Sequence, residues 1–211
     1  MDSTIGNENI SVALPEGVTG TDVSITTGPK GGDIVNVATP VSGLTITATG
    51  GKTTSVAGQR VSNSTLTATP AAGSTATVAI ETSVFKNSTV ANTGSGSLDV
   101  NVLAGKVKGS SISSGSSADS VSFGSSTKLK STTIELGGGK DTVTFGKGTK
   151  IKKGVEIELG GKKNTVVIET TKGLGKLTIS GISSKDKFTV GGETFSGKQV
   201  KKGADVGFEV G

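Results

Sequence analysis

Apolar side chains along this chain recur in short alternating runs, not in helical stripes. Val143-Thr144-Phe145 puts apolar residues on one face of a strand and a polar residue on the other, the period of two that extended backbone imposes. The run then returns at a fixed distance. Ile134-Glu135-Leu136-Gly137-Gly138 and Ile157-Glu158-Leu159-Gly160-Gly161 begin 23 residues apart. Nine residues after each start stands a valine (Val143, Val166), two further on an apolar residue (Phe145, Ile168), and seventeen after each start another (Ile151, Leu174). From Ile112 the same offsets reach Val121, Phe123 and Leu129; from Ile179 they reach Phe188 and Val190, then Phe195 at offset 16. Looser copies start near Ile25, Ile46, Leu66 and Val90, which makes about eight units with a repeat near 22 residues.

This pattern predicts an all-β fold, a β-solenoid of about eight coils with three short strands per coil. A single unit cannot bury its own apolar face; stacked units bury a shared column. Glycine-rich joints such as Gly137-Gly138-Gly139 supply the corners. Coils stacked at the strand spacing of about 4.8 Å would make a rod roughly 38 Å long. Val121, Val143, Val166 and Phe188 share one offset and are expected to form one inward ladder. The coil stack is expected over residues 23–196. Residues 1–22 fall outside the template, and their apolar group Ile10, Val12 and Leu14 is expected to cap an end or anchor a partner; residues 197–211, with Phe208 and Val210, are the expected C-terminal cap.

Composition narrows the chemistry. There is no His, Cys, Tyr or Trp, and there are six Phe. Triads that use His, ordinary zinc sites and disulfides are therefore excluded, and a stacking platform for sugars or single-stranded nucleic acid has no aromatic to build it. Charge is uneven: residues 1–105 carry four basic and seven acidic side chains, net −3, and residues 106–211 carry eighteen Lys and ten acids, net +8. The only Arg is Arg60, so the Arg forks of base recognition are missing and no nucleic-acid partner is expected. The ordinary role for so many lysines is to solubilise exposed sheet and blunt its edges. No apolar stretch is long enough for membrane insertion. The acidic, polar start Met1–Asn9 is unlike a signal peptide, so the expectation is a protein that stays in the producing cell, leaves by lysis, or uses a route not read at its N-terminus.

Four motifs suggest chemistry. Gly50-Gly51-Lys52-Thr53 lacks the first glycine of a phosphate loop and has no helix to follow. Glu135 and Glu158 hold equal template positions, about one strand spacing apart, as in a retaining glycosidase; without an aromatic to hold a sugar, a surface Glu/Lys ladder is expected instead. Thr77, Ser122 and Thr144, with Thr142, Thr165 and Ser120, suggest outward hydroxyl columns like those of ice-binding solenoids, although Val167 and Lys187 interrupt them. Leu136-Gly137-Gly138-Gly139-Lys140-Asp141-Thr142-Val143-Thr144 resembles the calcium-binding RTX nonapeptide, with Leu in place of the first glycine. That resemblance would make Asp119, Asp141 and Asp186, with Asn164 in the same column, calcium ligands. The repeat is too long to supply the second half-site, and Lys140, Lys162, Lys163 and Lys185 flank the column, so hydrogen bonds at a corner are the expected role and no cofactor is required.

The Gly/Ser/Thr/Val/Lys style of coils such as Ile134–Gly154 is similar to that of bacteriophage structural proteins of the fibre, spike and capsid-decoration types, and also to RTX-type and S-layer surface proteins of bacteria. The first resemblance implies a non-enzymatic virion component, homo-oligomeric and held among other structural proteins by its N-terminal segment. The second implies a bacterial cell-surface or extracellular location.

Overall fold

The structure, a computed structural model, describes residues 9–12, 23–27, 33–37, 39–48, 53–161, 163–170 and 173–211; for 9–12, 23–25, 27, 33–37 and 53 it describes the backbone alone. The chain winds into a β-solenoid. Through the stack, strands pair in parallel with the strand at the same position one repeat later, which builds three sheets; the pairing changes only at the C-terminal end. The first face has nine strands, beginning Val23–Thr27, Leu44–Ala48, Thr65–Ala68 and ending Leu177–Ser180, Glu209–Val210. The second has ten, from Asn9–Val12 and Asp33–Val37 through Ser120–Phe123, Thr142–Phe145 and Thr165–Ile168 to Glu193–Ser196. The third has six: Val41–Ser42, Val61–Ser62, Phe85–Lys86, Lys106–Lys108, Lys128–Lys130 and Lys150–Ile151.

Alternation sends one set of side chains from every face into a common core. Ile112, Ile134, Ile157 and Ile179 stack on the first face, Phe123, Phe145 and Ile168 on the second, and Val107, Leu129 and Ile151 on the third, all buried. Each such side chain contributes roughly 1.5–3 kcal/mol by leaving water. Because coils repeat by translation, like stacks on like: the rings of Phe123 and Phe145 lie 5.2 Å apart and 13° from parallel.

Corners are held by a different column. Between the third and first faces the chain turns through left-handed backbone at Gly43, Asn63, Asn87, Gly109, Ser131 and Gly154, with φ from 47° to 78°. Glycine takes this conformation freely and Asn tolerates it. Just after it come Ser64, Ser88, Ser110 and Thr132, all buried. Each hydroxyl donates to the carbonyl two residues back (Ser62, Lys86, Lys108, Lys130), and the serine hydroxyls also accept the N–H of Leu44, Ser64 and Ser88 in the preceding coil. The column therefore satisfies backbone donors that a turning strand would otherwise leave unpaired.

Two expectations need correction. Of the eight coils expected, six have strands on all three faces. In the coil that starts at Ile157, a single 3₁₀ turn, Leu174–Lys176, replaces the third strand, and Leu174 still reaches the core. In the coil that starts at Ile179, the chain reverses, so Glu193–Ser196 runs antiparallel to Lys187–Val190 and Phe195 sits opposite Phe188, half-buried, instead of serving as a third-face anchor. Second, part of segment 1–22 belongs to the stack: Asn9–Val12 adds a rung to the second face, with Ile10 in register with Val35 and Val12 with Val37. At the other end, residues of the 197–211 segment cover the last coil. Ser196 and Gln199 form a reciprocal capping box on the helix Gly197–Lys201, Val200 and Val206 are buried, and the Phe208 ring packs 5.6 Å from Phe188 over the last coil. Val210 remains half-exposed on the final first-face strand.

Candidate functional site

The structure places Val121, Val143, Val166 and Phe188 in direct register on four successive rungs of the second face, all at 1% exposure or less. Two residues before each of them lies the Asp/Asn column. Asp119, Asp141, Asn164 and Asp186 are buried at the corner that leads into this face. The Oδ1 of each accepts the backbone N–H of the residue one coil earlier: Leu98 to Asp119 at 2.6 Å, Asp119 to Asp141 at 2.9 Å, Asp141 to Asn164 at 3.0 Å and Asn164 to Asp186 at 2.8 Å. The column is thus the second instance of the device used by Ser64, Ser88 and Ser110, with stronger acceptors.

The remaining side-chain atoms divide the column. Asp119 Oδ2 accepts the Gly115 N–H at 3.1 Å, Asp186 Oδ2 accepts the Ser183 N–H at 2.6 Å, and the Asn164 amide donates to the Leu159 carbonyl at 3.1 Å. Asp141 Oδ2 is buried with no partner. Burial raises the Asp141 carboxyl to about 6, against the N–H of Asp119 and helped by the neighbouring Asp119 charge. Burial also raises Asp119, opposed by the groups of Leu98, Ser114 and Gly115 that face it.

These oxygens do not fit calcium. The ion takes six or more oxygens, several of them anionic. Here the carboxylates of Asp119 and Asp186 already accept N–H donors at both oxygens, and one orphan oxygen on Asp141 is no coordination shell. Among the described residues no group of three or more acidic side chains is arranged to hold a metal ion.

Charge is sorted by face. On the first face the outward positions are Thr and Ser in the early coils and Glu135, Glu156 and Glu158 in later ones. Glu135 and Glu158 are in register and exposed, yet the expected Glu/Lys ladder does not form, because their column continues as Ser113 on one side and Ser180 on the other. The second face carries mainly hydroxyls, in two columns: Ser120, Thr142 and Thr165 continue from Thr77 through Asp99, while Ser122 and Thr144 continue from Asn101. Thr77 therefore does not stand in line with Ser122 and Thr144.

The third face is cationic throughout its middle and later rungs. Lys106, Lys128 and Lys150 stand in register, as do Lys86, Lys108 and Lys130, with Lys152 continuing the second column. Arg60 opens the set, beside Lys86, Lys106 and Lys108 around a shallow hollow. A second hollow, about 310 Å³, lies at the step where the third face ends, lined by Lys150, Ile151, Lys152, Gly173 and Lys176. No acidic residue stands on these strands. The expectation that these lysines solubilise exposed sheet and blunt its edges does not foresee their gathering on one face. The signal was present in the repeated Lys-apolar-Lys triplets 106–108, 128–130 and 150–152.

Of the anchor residues, Ile10 and Val12 are placed by backbone only, on the first rung of the second face, and Leu14 lies outside the described residues. No helix among the described residues is long and apolar enough to cross a membrane. No protein-family model matches the chain, and no curated protein or solved structure shows a significant similarity to it.

Proposed function

We propose that this protein is a non-enzymatic structural component of a bacteriophage virion, of the fibre, spike or capsid-decoration type, attached through its N-terminal segment and assembled with other structural proteins as a homo-oligomer. The observation that carries this reading is the use made of the buried polar groups. Asp119, Asp141, Asn164 and Asp186, the residues best placed for chemistry, bind the N–H of the neighbouring coil and so hold the stack together. The outward positions offer hydroxyls and charges sorted by face along a rod. Such a rod suits projection from a larger particle; the Asn9–Val12 rung stands at the opposite end of the stack from the coil that Phe208 covers, and attachment is proposed at that end.

Physical location tests the reading. The protein should co-purify with a particle through density-gradient centrifugation, and removal of residues 1–22 should release it from that particle while the remaining coils stay folded. Recovery in a washed cell envelope with none in particles would instead support a bacterial surface protein. A truncated protein that still incorporates normally would move attachment to the coil faces.

A further inference from the structure

We infer that the third face is a binding surface for a linear acidic polysaccharide, one carrying a carboxylate or sulfate on each sugar. The inference does not depend on where the protein resides. Eight cations, Arg60, Lys86, Lys106, Lys108, Lys128, Lys130, Lys150 and Lys152, stand on or directly beside five successive rungs of one face. Lys106 lies opposite Lys128 and Lys128 opposite Lys150; Lys86 lies opposite Lys108 and Lys108 opposite Lys130. Like charges directly opposite on paired strands destabilise a sheet. The same half of the chain holds ten acids that could have alternated with these lysines, and the strands of this face use none of them. Edge protection does not explain the arrangement either, because Lys106–Lys108 and Lys128–Lys130 are interior strands of the sheet. The repulsion is relieved by an anionic partner that spans the rungs.

Geometry selects the partner. The charges form two columns that run along the rod at a spacing of about 4.8 Å, Lys106, Lys128 and Lys150 over roughly 10 Å and Lys86, Lys108, Lys130 and Lys152 over roughly 14 Å. A chain of sugars with one charge each can lie along such columns and place an anion between successive rungs. The Lys106–Lys152 stretch has no Arg, so the forks that grip nucleic acid are missing; the polysaccharide is held by its charges alone, since the outer side of the face has no aromatic to stack either a base or a sugar.

Polygalacturonate is the probe, with single-stranded DNA and anionic phospholipid vesicles as competitors at equal charge concentration. The full chain should bind polygalacturonate, and affinity should fall as salt rises. The triple variant Lys106→Gln, Lys128→Gln, Lys150→Gln should lose about tenfold or more of that affinity, as expected when several cooperating charges are removed. The triple variant Lys185→Gln, Lys198→Gln, Lys202→Gln, with the same net charge but an intact third face, should bind as the parent does. Equal loss in both variants would reduce the effect to net charge and overturn the proposal, as would DNA or vesicles that bind more tightly than polygalacturonate. Because a variant could misfold, acetylation of the parent protein supplies an independent readout. Bound polygalacturonate should protect Lys106, Lys128 and Lys150 and leave Lys185 and Lys198 reactive; uniform protection or none overturns the assignment.

Discussion

The backbone N–H of Asp119 donates to Oδ1 of Asp141 across 2.9 Å, so two buried carboxyl groups on adjacent coils share one column and one line of hydrogen bonds. In the next coil the same position is Asn164, whose amide also donates to the Leu159 carbonyl. Asp141 has no such donor when ionised, and its Oδ2 is left without a partner at 1% exposure.

This makes Asp141 a pH-dependent weak point. Its carboxyl starts from 3.8 and rises to about 6 in the folded protein, chiefly through burial. The folded state therefore holds the proton more tightly than the unfolded state. The associated stability is complete below pH 4 and is lost as pH rises through 6. Asp141→Asn, which copies Asn164, should gain about 2 kcal/mol at pH 7.5 and almost nothing at pH 4. Denaturant midpoints at the two pH values check this; an equal gain at both would show that the charge is not the cause.

Calcium should leave the protein unchanged. The carboxylates of Asp119 and Asp186 already accept backbone N–H donors, and the ion would have to displace them. Thermal unfolding with and without millimolar calcium should give the same Tm. A rise of many degrees that disappears in Asp141→Ala would mean that the column rearranges into a metal site.

Phe145→Ala should be the most damaging simple truncation in the middle coils. The ring is fully buried and stacks on Phe123 at 5.2 Å, and a translational stack has no neighbouring side chain free to move into the gap. The expected cost is about 3–5 kcal/mol, read from chemical denaturation. A loss below ~1 kcal/mol would imply that the core collapses around the missing ring.

Ser131→Gly should stabilise. Ser131 holds φ at 47° in a column where Gly109 precedes it and Gly154 follows it. Relief of the left-handed strain outweighs the extra freedom of glycine in the unfolded chain, for a net gain of about 0.5 kcal/mol. Ser125→Gly, at an exposed residue without a positive φ, is the control and should not stabilise.

The repeat, most of the strands and the ladder of the second face were legible in the residue pattern alone. These follow from two local regularities, alternation along a strand and translation between coils, so equal offsets from Ile112, Ile134, Ile157 and Ile179 suffice to put Val121, Val143, Val166 and Phe188 on successive rungs. Which polar residues turn inward and which face each charge occupies came from the way the coils close on one another. Ser88 and Asp141 are as polar as Ser113 and Glu135, yet they are buried because they sit at corners, where the turning backbone leaves an N–H that the next coil's side chain must accept. The lysines of 106–108, 128–130 and 150–152 read as dispersed along the chain; the angle through which each corner turns gathers them on one face and sends Glu135, Glu156 and Glu158 to another. Residues 197–211 read as a cap from their place outside the repeat, but the contact that makes one, Phe208 over Phe188, is a single non-repeating contact that no period can announce.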